Sequence, residues 1–94
     1  MSSSTPADAA DEWLDILDAL LLQMIEQQES KLMQLARQLV PDLTVEDLRN
    51  PQDFHVLVRD PDFNYEDGML AGLRSAHMAI RAEFAQRRHA RGNQ

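Results

Sequence analysis

The apolar residues in the first part of the chain recur at spacings of three and four, which is the period of an amphipathic helix. The pattern follows Pro6, and no glycine or further proline interrupts it before Pro41. Proline suits the first position of a helix but disfavours its interior. We therefore predict one helix from Pro6 to Leu39 or Val40, which would be about 50 Å long at the usual rise per residue.

A second long helix is predicted near the end of the chain. It should begin near Tyr65, because Asn64 stands three residues before Asp67 in the spacing of a capping box, and it should reach about His89. The residues expected on one face of this helix are Leu70, Leu73, His77, Ile80 and Phe84.

The segment between the two long helices is short and interrupted by prolines. Thr44 and Asn50 each stand three residues before an aspartate, which predicts a short helix after each of them. We therefore predict that residues 42–63 form a short helical crossover. The aromatic side chains of Phe54 and Phe63 are expected to close one end of the fold.

Charge is distributed unevenly between the two long helices. Seven acids and no base lie from Asp8 to Glu29, whereas four arginines and one acid lie from Arg81 to Arg91. An antiparallel arrangement places the acidic start of one helix beside the basic end of the other. We predict a single all-α domain over residues 1–94, in which two long antiparallel helices are joined by a short helical crossover, with 1–5 and 91–94 frayed.

One part of the first helix is apolar on nearly all sides. Only Gln23 is polar between Ala19 and Ile25, and one antiparallel neighbour covers only one face of a helix. We therefore expect two copies to assemble into a dimeric four-helix bundle. The residues expected at the oligomer interface are Trp13, Leu17, Leu20, Leu21, Leu22, Met24, Ile25, Gly72 and Ala76.

The composition excludes several classes of protein. The chain has no cysteine, which excludes disulfide frameworks, thiol nucleophiles and thiolate zinc sites. No apolar run approaches the roughly 20 residues that span a bilayer, and no targeting signal is recognisable, so we expect a cytoplasmic protein with no membrane partner. The net charge of −7 repels phosphate backbones, so we expect no nucleic-acid partner.

Motifs for catalysis and cofactor binding are absent. The sequence has no nucleophile elbow, phosphate-binding loop or dinucleotide fingerprint. The acidic segment from Asp60 to Asp67 resembles the opening of a calcium-binding loop, but Tyr65 and Ala71 stand where such a loop needs a glycine and a bidentate glutamate. We interpret this segment as a turn in which Asn64 caps the last helix.

These features favour a non-catalytic protein-protein interaction module that forms a homo-oligomer and carries no cofactor. The alternative hypothesis is a helical bundle, with or without enzymatic activity, that binds a metal or small ligand through Glu26, Glu29 and His77. A histidine on an apolar face is more often a core or interface residue than a ligand. Three glutamines in the first helix are interpreted as surface or interface positions with local hydrogen bonds: Gln23, Gln27 and Gln28.

Overall fold

The computed structural model describes residues 6–92 as a helical hairpin with a short crossover. The two long helices are α1, Pro6–Leu39, and α4, Pro61–Gly92. The crossover contains α2 (Val45–Leu48), a 3₁₀ helix (Pro51–Asp53) and α3 (His55–Arg59). Within the described range no strand is present.

Helix α1 and the start of the crossover have the predicted bounds. The last helical hydrogen bond at this end runs from Val40 N to Ala36 O at 2.8 Å, and Pro41 cannot continue the helix. Thr44 then caps α2: its Oγ1 accepts from Asp47 N at 3.1 Å, and Asp47 Oδ2 accepts from Thr44 N at 3.0 Å. The predicted capping box at Thr44 is confirmed.

Helix α4 begins earlier than predicted. Asp60 Oδ2 accepts a hydrogen bond from Phe63 N at 2.7 Å, and Pro61 occupies the first helical position, where its missing N–H costs nothing. Asn64 therefore lies inside the first turn, and its Nδ2 donates to Val58 O at 2.8 Å. The prediction that Asn64 caps this helix was wrong, because the preceding Asp-Pro pair starts the helix first.

Two smaller predictions also need correction. Asn50 makes no capping hydrogen bond with its side chain. Residues 91 and 92 were expected to be frayed but belong to α4, and Arg91 Nη2 donates to Asp11 Oδ1 at 2.9 Å. Residues 1–5 and 93–94, for which fraying was also predicted, lie outside the described residues.

The long helices pack against each other in opposite directions, as the charge distribution predicts. At one end Arg91 pairs with Asp11, and further along Lys31 Nζ lies 3.0 Å from Glu66 Oε1. The apolar core is concentrated at the crossover end of the hairpin. Its buried members there are Leu32, Ala36, Leu43, Leu57 and Phe63.

The contact between the long helices follows a coiled-coil spacing. The buried and half-buried residues that recur at this spacing are 14, 18, 21, 25, 28, 32, 35 and 39 in α1 and 63, 66, 70, 73, 77, 80 and 84 in α4. We call these two rows the seam. Alternating steps of three and four keep one stripe of each helix against its neighbour.

Candidate interaction surface

A buried polar pair interrupts the apolar seam near its middle. Gln28 Nε2 donates to Glu66 Oε2 at 2.6 Å and to the Glu66 backbone carbonyl at 3.0 Å. The hydrogen bond from Gln28 and the nearby Lys31 ammonium together lower the pKa of the Glu66 carboxyl below its ordinary 4.5, although burial acts in the opposite direction. Gln28 was predicted to be a surface or interface position with local hydrogen bonds; it is buried, and its hydrogen bonds cross the hairpin, so the prediction of local bonding was wrong.

A second polar pair crosses the seam closer to the chain termini. His77 Nε2 lies 2.7 Å from Asp18 Oδ1, and because an ionised carboxylate only accepts, Nε2 is the nitrogen that donates. Arg81 Nε lies 3.8 Å from the same oxygen. His77 is buried, so in this structure it is a hydrogen-bonded residue of the helix contact.

The three residues of the metal-binding hypothesis do not come together. His77 stands level with Asp18, which is eleven residues before Glu29 and therefore about 16 Å away along the helix axis. Glu29 Oε1 instead pairs with Arg74 Nη2 at 3.2 Å, and Glu26 is exposed outside the seam. Among the described residues, no group of three His, Asp or Glu side chains could hold a metal ion.

The polar atoms of the seam are therefore satisfied within the chain itself. In the part of the chain that the structure describes, no buried side-chain nitrogen or oxygen lacks a hydrogen-bond partner. Buried polar groups are stable in a protein interior when they are paired in this way. The two pairs consequently serve the packing of α1 against α4.

The seam separates two sides of the hairpin that differ in chemistry. On one side, ion pairs connect α1 and α4, and α2 covers part of the surface next to Glu29. We call this the charged side. Its ion pairs are Glu29 with Arg74 at 3.2 Å, Asp18 with Arg81 at 3.8 Å and Asp15 with Arg88 at 3.8 Å.

The opposite side carries two uncovered rows of apolar and small residues. The row on α1 contains large side chains, of which Trp13 is 65% and Leu20 50% exposed. The row on α4 contains mostly small residues. We call the two rows together the open face, and they consist of Trp13, Leu17, Leu20 and Met24 on α1 and Met69, Gly72, Ala76 and Ala79 on α4, all of them exposed.

Both rows lie on the same side of the hairpin. Continuing the α1 row by whole heptads leads from Met24 to Lys31 and Gln38, and continuing the α4 row backwards leads from Gly72 to Tyr65. Lys31, Gln38 and Tyr65 line one common groove between the two helices. Because seven residues bring a coiled-coil position back to nearly the same side of the helix, the two rows share that side.

Six of the nine predicted interface residues lie on the open face. The structure places the other three elsewhere: Leu21 is half-buried in the seam, Ile25 is buried there at 5% exposure, and Leu22 faces the charged side. They were included because the segment is apolar on all sides, yet α4 already covers two of them. Met69 and Ala79 belong to the open face but were not predicted for the interface, although their heptad offset from Ala76 and Gly72 is visible in the sequence.

The open face thus consists of two rows of exposed apolar and small residues, one on each long helix. No described helix is both long and apolar enough to cross a bilayer. The side chains of the open face are apolar or small. Comparison with family models, curated proteins and solved structures finds no match for this chain.

Proposed function

We propose that this protein is a non-catalytic helical interaction module that dimerises through its open face into a four-helix bundle. The observation that carries the proposal is the pair of uncovered rows on one side of the hairpin, with Trp13 65% and Leu20 50% exposed. Contiguous apolar patches are small on most monomeric proteins, and larger ones mark interaction sites. Isolated exposed apolar residues would not support this argument, but eight exposed positions that share one side of the hairpin do.

The dimensions of the chain support the same proposal. Its accessible surface is 7089 Å², whereas a compact monomer of this mass exposes about 5,500 Å². Its radius of gyration is 18.5 Å, against about 12 Å for a compact domain of this length. The surplus surface of each chain is about twice the roughly 800 Å² that each partner buries in a standard interface.

Sedimentation equilibrium of the full chain tests this proposal. We expect a species of twice the 10.7 kDa chain mass at micromolar concentration, because burial of the open face favours association. Circular dichroism recorded at the same concentrations reports whether the helices are formed. A fully helical monomer that persists throughout the micromolar range would contradict the proposal.

A further inference from the structure

We infer that the partner at the open face is a second copy of this chain, related by a twofold axis parallel to the long helices, so that α1 of each copy lies on α4 of the other. This inference rests on the proposed function and deepens it by naming the surface that each copy contacts. It follows from side-chain size, from position along the helices and from charge.

Side-chain size distinguishes the two ways in which the hairpins can stack. The α1 row of the open face is bulky, and the α4 row is dominated by Gly72, Ala76 and Ala79. A twofold axis parallel to the helices places the bulky row of each copy on the small row of the other. An axis across the helices places bulky on bulky and small on small, which leaves a gap between the α4 helices, whereas interface cores pack as densely as protein interiors.

A twofold axis parallel to the helices leaves each residue at the same position along the helix axis in both copies. The positions of the open-face residues agree with this arrangement. Height here means position along the axis of the hairpin. The polar pairs Asp18–His77 and Gln28–Glu66 show which residues of α1 and α4 are level with each other. Because the helices are antiparallel, each residue forward on α1 is level with one residue back on α4. On this scale Leu17 is level with Ala79, Leu20 with Ala76 and Met24 with Gly72, within about half a helical turn. Each large side chain therefore meets a small residue of the partner.

The residues at both ends of the open face also have complementary partners in this arrangement. Beyond the apolar rows towards the crossover, Lys31 continues the α1 row and Asp62 continues the α4 row at nearly the same height, and both are exposed. At the other end, Trp13 stands level with the exposed Glu83, which continues the α4 row. Lys31 then faces the partner's Asp62, and the indole N–H of Trp13 can reach the carboxylate of the partner's Glu83.

Disulfide trapping tests the arrangement directly, because the natural chain contains no cysteine. Leu20→Cys and Ala76→Cys are prepared separately, mixed under reducing conditions to exchange subunits, and then mildly oxidised. We expect a disulfide-linked dimer in the mixture and only background in either variant alone. In the proposed bundle the two copies of residue 20 lie diagonally, about 13 Å apart at usual helix spacings, which exceeds the reach of a disulfide.

Met78→Cys is the matched control, since Met78 is 64% exposed on the charged side of α4. It reports collisional cross-linking, and circular dichroism of every variant reports that the hairpin is intact. Efficient cross-linking of Leu20→Cys with itself would show α1 lying on α1 and would overturn the inference while leaving the dimer standing. A monomer in sedimentation would instead overturn the proposed function. A sedimenting dimer whose mixture cross-links no better than Met78→Cys would show that residues 20 and 76 do not meet between copies, which would overturn the inference.

Discussion

Replacing Leu20 by glutamate tests how much the open face contributes to association. Leu20 is in the middle of the α1 row and 50% exposed in the single chain. Full burial of a leucine side chain is worth about 1.5–3 kcal/mol, so burying the exposed half contributes roughly 0.8–1.5 kcal/mol per copy. Both copies lose this contribution in the dimer, which makes the loss about 1.5–3 kcal/mol.

The introduced carboxylate adds to this loss, because an ionised group that is buried without a partner costs several kcal/mol. The lost apolar burial by itself raises the dissociation constant of the dimer about 10- to 150-fold. The hairpin should stay helical, since the side chain of Leu20 is outside the seam and glutamate is a good helix former.

Met78→Glu is the matched control for the change in charge. Met78 is 64% exposed but on the charged side of α4, so the variant carries the same added charge without touching the open face. Sedimentation equilibrium should give a dissociation constant for this variant close to that of the natural chain. The reasoning is refuted if Leu20→Glu dimerises as tightly as the natural chain, or if Met78→Glu weakens the dimer equally.

Three further predictions concern the stability of the hairpin. Leu57→Ala should lower the free energy of unfolding by about 2–5 kcal/mol, because Leu57 is fully buried; the same change at exposed Val58 should cost much less, and denaturant titrations compare the two. Asp60→Ala should cost about 0.5–2 kcal/mol in the same assay, because it removes the cap of α4, and a cost near zero would exclude Asp60 as the cap. The pKa of Glu66 is lowered below 4.5 in the folded chain, so its stabilising effect is present above that pH and is lost as the pH falls through the folded pKa. Gln28→Leu removes the main cause of this lowered pKa. The account is contradicted if the free energy of unfolding falls equally steeply with falling pH in the variant and in the natural chain.

The sequence predicts the hairpin well, because prolines mark the helix ends locally and the distribution of charge indicates how the two long helices are oriented. Pro6 and Pro41 mark the two ends of α1 without reference to any other part of the chain. The antiparallel direction follows from the opposite charges that meet at Asp11 and Arg91. The predicted start of α4 was wrong because two capping signals, at Asp60 and at Asn64, follow one another in the sequence. The structure shows that Asp60 caps the helix.

The open face could be predicted only in part, since the segment around Leu21 is apolar on all sides. Which of its rows faces α4 depends on how the crossover aligns the helices, and no local pattern states that alignment. For the same reason local hydrogen bonds were predicted for Gln28, and its partner Glu66 was not identified. Pairing across 38 residues depends on the height at which α4 begins.

The two polar pairs of the seam have a consequence for the register of the hairpin. An apolar seam repeats every seven residues, so one helix can slide by a heptad and still bury leucine against leucine. Such a slide would separate Asp18 from His77 and Gln28 from Glu66 together, and the buried side chains of Gln28, Glu66 and His77 would lose these partners. The pairs therefore admit one alignment of α1 and α4, and an insertion in either long helix between them would separate the partners of at least one pair.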